Sequence, residues 1–385
     1  MDSFCIKDRG LAETERFAFD QPLGFLCRAK DARINPQYWW KRPMVEITAN
    51  ANTDEWHEFL QIQGDATLYH TPQWKTFLEE TFGYKPRYLF ATNESGQLIG
   101  MLPLFEVKSR LTGNRLCSVP FSHECGCLGN SAARTALIYE AVALKNRFHL
   151  EKIEIRSAVE NPHFQEKNAF CTHILKLSQN LQETWKRLDK GSVRWAVKKS
   201  EKLGVSVASS SNIEDLKEFY ELNCLTKQNL GVPCHPWKFF KNLFSILEGY
   251  VRMYISRYKG NIIAGGVIEC YNGRVLYGYG AADPSHLELH PYNAFIWKSI
   301  EDACINGCQI YDFGRTSYDN TGLIQFKKKW GTQERELYYS YYPSSGRSVV
   351  TERDSTIFRL GNSAIRTMPI SAYKAFSTSV FGHFG

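Results

Sequence analysis

At 385 residues, roughly 150 per domain, the chain is long enough for two or three domains that each bury a core, which excludes a small stapled scaffold. Eleven cysteines are too few, and odd in number, for a disulfide framework, and 43% hydrophobic residues with 24 Phe, 20 Tyr and 9 Trp exclude a disordered chain. The net charge of +7 argues only weakly for an anionic partner, no apolar run reaches the ~18 residues of a membrane span, and Met1-Asp2-Ser3-Phe4-Cys5 does not begin like a signal peptide. The expectation is a protein of the reducing cytoplasm.

Residues 1–45, with Pro22, Pro36, Pro43 and the cluster Tyr38-Trp39-Trp40-Lys41-Arg42, show no sustained period and read as an arm. Asp54 to Leu60 opens an amphipathic helix. Thr71-Pro72-Gln73-Trp74 opens another, with Thr71 as cap and Pro72 at the favoured first position, and Gly83 closes it. Arg87 to Ala91, a turn at Gly96 and Leu98 to Leu104 then read as a hairpin.

The same grammar returns about 164 residues later in Arg252 to Ser256, a turn at Gly260 and Ile262 to Ile268. In each half a helix and a short strand follow: Ala136 to Leu144 with Ile153-Glu154-Ile155, and Phe295 to Ile305 with Ile310-Tyr311-Asp312-Phe313. A period this long predicts duplicated domains rather than a solenoid. Each is expected to be a mixed α/β unit, 46–178 and 179–345, with a largely antiparallel sheet flanked by helices. The tail, 346–385, is rich in Arg and carries Tyr373, Phe376, Val380, Phe381 and Phe384 at helical spacing. It reads as a docked helix, with a peripheral membrane contact as the alternative.

Between Lys186 and Lys202 seven basic residues face only Asp189 and Glu201. Ser192 reads as the cap of a helix on which Arg194, Lys198 and Lys202 align. That face is either a solvated one or a surface that tracks phosphates.

The hairpins, the segment Tyr311-Asp312-Phe313-Gly314-Arg315-Thr316-Ser317 and the segment Gly322-Leu323-Ile324-Gln325-Phe326-Lys327-Lys328-Lys329-Trp330-Gly331 resemble the FemAB-like branch of the GNAT acyltransferase superfamily. More closely, the chain is similar to bacterial FemAB-related proteins of exopolysaccharide and exosortase systems. Further matching stretches are Tyr69 to Trp74, Leu102 to Phe105, Val119 to Ser122, Val193 to Val205 and Leu230 to Pro233. The resemblance implies two tandem GNAT-like domains and transfer of an acyl group to an amine. The donor would be an aminoacyl-tRNA or an acyl-CoA, used as co-substrate with no permanently bound cofactor, and the acceptor an amine-bearing envelope or polysaccharide precursor. It also implies cleft-facing acceptor contacts from the loop that holds His123 and Glu124, while a membrane contact by the tail would set this cytoplasmic protein at the inner face of the membrane.

Such a transfer needs an oriented amine, a route for its proton and donors aimed at the developing oxyanion, but no covalent nucleophile. Accordingly the chain has no Gly-x-Ser-x-Gly elbow, no His-Glu-x-x-His and no Walker loop. Ala282 to Asn293 stands where a CoA-binding loop belongs and has no glycine, which makes acyl-CoA the less favoured donor. The segment leads into a helix whose start, with His290, Tyr292 and Asn293 at its mouth, is either an anion site or a satisfied cap. Asp312 and Arg315, at a strand end, read as a proton acceptor and a clamp for phosphate or carboxylate, or else as an internal ion pair. Lys327 reads as a neutralising cation, or as part of a solvated lysine run. His123, Cys125 and Cys127 lack a nearby fourth ligand, so no metal site is expected. The competing readings of the whole chain are a non-catalytic module for an anionic lipid-linked glycan or membrane surface, and an RNA binder using Arg194, Lys198 and Lys202.

Overall fold

The computed structural model describes residues 45–343 and 356–385. The N-terminal arm with its Trp39-Trp40 cluster, and Arg347 and Arg353 of the tail, lie outside the described residues.

Both expected hairpins form. Leu89–Thr92 pairs antiparallel with Leu98–Leu102 around Gly96, and Val251–Tyr258 with Asn261–Tyr271 around Gly260. Both turn glycines have a strongly positive φ, 78° and 88°, which a side chain would resist.

The duplication extends to the strands on either side. Glu46–Thr48 precedes the first hairpin as Ser206–Ser210 precedes the second, and Leu128–Gly129 follows the first as Arg274–Ala282 follows the second. A helix comes next in each half, Ser131–Arg147 and Pro291–Ile305, and then a short strand, Lys152–Ile155 and Ile310–Asp312. The result is a mixed α/β protein with, among the described residues, a four-stranded and a twelve-stranded sheet flanked by helices.

The halves are joined by an exchange of their last strands. Gln165–Lys176, the end of the first half, pairs with Ile310–Asp312 of the second, while Gln333–Tyr342, the end of the second, pairs with Lys152–Ile155 of the first. The two exchanged strands also pair with each other, from Gln333 opposite Ile174 to Tyr341 opposite Gln165. Separating the halves would expose two rows of backbone donors and acceptors, so they fold as one body.

Packing agrees, because one core holds Trp74 and Phe77 of the first half, Phe239 and Phe240 of the second, and Tyr373 of the tail. The tail helix Ile370–Val380 is docked: Tyr373 and Ser377 are fully buried, the Tyr373 hydroxyl donates to the Val232 carbonyl at 2.7 Å, and Phe381 stacks on Phe121.

The basic segment differs from its sequence reading. Its cap is Asp189, not Ser192: the Asp189 carboxylate accepts from the Ser192 N–H at 2.8 Å, and a wide turn over Lys190–Arg194 leads into the helix Trp195–Lys202. Asp accepts a backbone N–H as well as Ser does, and here it stands three residues earlier.

Candidate active site

Ile310–Asp312 sits between Gln165–Lys176 on one side and the start of Arg274–Ala282 on the other. The parallel pairing with Arg274 to Leu276 stops at Asp312, whereas the longer strand runs on to Ala282. Phe313 keeps to Gln165–Lys176, its N–H donating to the His173 carbonyl at 2.9 Å, and Gly314 follows at φ 71°. Asp312 therefore stands where two strands part, at the seam of the halves.

Asp312 is not paired with Arg315, so the ion-pair alternative fails. Its Oδ1 accepts from the Thr172 hydroxyl and, at 2.8 Å, from the Gly314 N–H. Oδ2 has no hydrogen bond among the described residues. Burial raises its pKa above the usual range, and the two donated bonds hold it down in part.

Arg315 turns the other way. It donates to the Tyr339 hydroxyl at 2.6 Å with its guanidinium over the Phe170 ring, 4.6 Å from the centroid. The Tyr339 hydroxyl in turn donates to the His123 carbonyl at 2.8 Å.

Lys327 lies on the helix Thr321–Lys328, started by Asn320, whose side chain accepts from the Leu323 N–H. Its periodicity turns Ile324 and Lys327 inward while Lys328 and Lys329 face water. Lys327 is only 3% exposed and donates to the Gly314 carbonyl at 2.7 Å, which excludes the solvated-run alternative. Burial depresses its pKa to about 8, opposed by the Asp312 carboxylate.

His123 arrives from the first half on the loop between Arg115–Cys117 and Leu128–Gly129. Arg156 holds that loop by donating to the Ser122 carbonyl at 2.8 Å, itself tied to Glu154 at 3.1 Å. The His123 Nδ1 is buried with no partner among the described residues. Burial, with Arg315 and Lys327 adding to it, holds its pKa well below 6.5, so the ring is a neutral imidazole at neutral pH. Glu124 makes a two-pronged ion pair with Arg335 of the second half, at 2.8 and 2.6 Å.

Two further groups were not singled out in the sequence. Glu269 is 3% exposed, and burial raises its pKa to about 8, opposed by the Tyr69 hydroxyl beside it. Tyr69, from the first half, is buried beside Glu269 and within electrostatic range of Tyr279 and Asp312. The signal for Glu269 was present, as a lone carboxylate within the apolar run Ile262 to Cys270.

The remaining predicted residues lie in other surroundings. The helix Pro291–Ile305 starts after His290, in a left-handed conformation, and has no side-chain cap. His290 packs edge-on against Trp195, and Tyr292 lies against Gly280 and Phe295. Asn293 is half-buried on the first turn. Lys198 lines a separate open groove of about 460 Å³ with Trp185, Trp297 and Glu301, and Arg194 lies on the turn that precedes its helix. Cys125 contacts the His70 ring at 3.5 Å.

Residues 189–328 match the family described as an acetyltransferase (GNAT) domain. Among solved structures, FemX matches 77% of this chain and 96% of its own, at 17% identity and a TM-score of 0.62. The C-terminal domain of a protein assigned as a lysylphosphatidylglycerol synthetase from Agrobacterium fabrum matches 76% of this chain and 92% of its own, at 11% identity and a TM-score of 0.53. L-PGS from Bacillus licheniformis matches 82% and 98%, at 14% identity and a TM-score of 0.51. No curated protein matches the sequence. Residues 189–328 are thus similar to an acetyltransferase (GNAT) domain. Over 77% of its length the chain shares the fold of FemX, in keeping with the FemAB-like branch that its motifs resemble.

Proposed function

We propose that this protein transfers an acyl or aminoacyl group directly to an amine of a cell-envelope or exopolysaccharide precursor. The observation that carries the reading is the convergence of Asp312, Lys327 and His123 where the strands part, within a GNAT fold. In the step proposed, the amine nitrogen attacks the donor carbonyl carbon, a C–N bond forms, and the C–O or C–S bond to the carrier breaks. The proton from the amine passes to the free oxygen of Asp312, and the departing oxygen or sulfur takes a proton from water. Lys327, charged below pH 8, faces the negative charge that develops on the carbonyl oxygen or an adjacent phosphate. Arg315, held between Phe170 and Tyr339, clamps a phosphate or carboxylate of a substrate.

Aminoacyl-tRNA is the favoured donor because the segment Pro284–Leu289, before the helix Pro291–Ile305, has no glycine to wrap a pyrophosphate. His290, Tyr292 and Asn293 at that helix start, and Arg194 and Lys198 beside the groove, would contact the donor, and His123 and Glu124 the acceptor. We place the reaction in the cytoplasm, at the inner face of the membrane. Among the described residues no helix is long and apolar enough to cross one.

The test is a titration of the protein with aminoacyl-tRNA, uncharged tRNA and a panel of acyl-CoAs at fixed salt, followed by transfer assays with the donor that binds. Tighter binding of charged tRNA is expected. Saturable acyl-CoA binding would make the protein an N-acyltransferase of sugars or small amines. Transfer that persists at full rate when Asp312→Asn and Arg315→Ala are combined would overturn the site.

A further inference from the structure

We infer that Cys171, His173 and Glu334 form a binding site for a divalent transition metal of the zinc type, on the seam between the exchanged strands. Cys171 and His173 are two residues apart on Gln165–Lys176 and so share a face, and Glu334 stands directly opposite His173 on Gln333–Tyr342. Their ligand atoms all lie within 4.8 Å of one another. A tetrahedral metal, with bonds of about 2.0–2.3 Å, needs such atoms roughly 3.3–3.8 Å apart; His173 Nε2 and Glu334 already stand 3.7 Å apart, and small side-chain rotations close the rest.

The observation that points to a ligand is His173. Its side chain is wholly buried, neither ring nitrogen has a hydrogen bond among the described residues, and the ionic contact it makes, Nε2 to Glu334, is 3.7 Å long. An imidazole taken out of water without a partner is costly, and a metal bond at one nitrogen offsets that cost. The sulfur and nitrogen donors select zinc over magnesium or calcium. On binding, the Cys171 thiol releases its proton to solvent and Glu334 exchanges its ion pair with Lys328, 2.9 Å long, for the metal. Three protein ligands leave a fourth position for water. Because the ligands come from both halves, the ion would fasten the exchanged strands together.

The test uses the full chain, stripped with chelator, titrated with Zn2+ against a chromophoric chelator and with Co2+ by its thiolate charge-transfer absorption. One Zn2+ per chain and a cobalt–thiolate band are expected, with the band lost in Cys171→Ser. Glu334→Gln, on the exposed side, keeps the fold and should weaken Zn2+ binding by about tenfold or more, a ~1.4 kcal/mol change. It should also abolish the rise in Tm that Zn2+ gives the wild type. Cys125→Ala should change neither. Equal Zn2+ affinity in wild type and Glu334→Gln, absence of the cobalt–thiolate band, or its loss in Cys125→Ala instead would overturn the inference.

Discussion

The His123 imidazole lies against Gly314: a Cβ on that glycine would stand 2.7 Å from Cε1 and 3.0 Å from Nδ1. A loop of the first half and a strand end of the second thus meet with no room for a side chain. Gly314 also donates its N–H to Asp312 and accepts from Lys327, so one residue sets the spacing of three candidate catalytic groups.

Gly314→Ala is therefore expected to act on both stability and turnover. With φ at 71° the alanine is strained by about 1 kcal/mol, and the approach to His123 adds to that. Because the groups are displaced rather than removed, kcat should fall by ten-fold or more, on the order of ~1.4 kcal/mol, while the protein stays folded. Parallel thermal unfolding and transfer assays check this, and wild-type turnover in the variant would show that the three groups do not act together.

Lys327→Met should abolish transfer yet stabilise the protein at pH 7. The folded pKa of about 8 lies below the ordinary 10.5, so below pH 8 the chain bears the full cost of a buried ammonium, and stability rises as pH climbs from 8 to 10.5. That cost is about 3 kcal/mol, offset by ~1 kcal/mol for the hydrogen bond to Gly314. Urea unfolding at pH 7 and at pH 10 should show the advantage of Met shrinking at the higher pH. In the wild type kcat/KM should decline as pH passes 8.

Much of this arrangement was legible in the sequence, for identifiable reasons. The duplicated hairpins announce themselves through Gly96 and Gly260, and Asp312, Arg315 and Lys327 stand in recognisable segments. The strand exchange was not legible, because nothing in Gln333 to Tyr342 names the neighbour it pairs with, and pairing depends on contacts over a hundred residues away. Thr172 and Tyr339 escaped for the same reason, since each acts on a residue of the other half. The separation of Asp312 from Arg315 escaped because three residues of spacing do not reveal that Gly314 turns the chain between them.

The Glu124–Arg335 pair links the halves at the surface, with side chains 38% and 43% exposed. At that exposure the pair contributes under ~1 kcal/mol. Arg335→Ala should leave Tm nearly unchanged, and the small difference should vanish at high salt. Its larger effect should be on KM for the acceptor, because Glu124 and the adjacent His123 lose their tether. A KM unaltered for both substrates would remove this loop from acceptor binding.

Glu269→Gln separates a second carboxylate from a packing role. The wild-type pKa, raised from 4.5 to about 8, means that the folded state binds the extra proton between those values. The sign follows: stability contributed by this site is complete below pH 4.5 and is lost as pH rises toward 8, by several kcal/mol at most. Glutamine keeps the shape without the ionisation, so the variant should gain stability over wild type as pH goes from 5 to 8 and match it at pH 4.5. If Glu269 also receives the proton of the bound amine, relayed past Tyr69 from the Asp312 side, the variant should lose turnover and the rise of kcat with pH together. Full activity with the stability signature intact would leave Asp312 as the proton acceptor and make Glu269 a buried acid without a part in transfer.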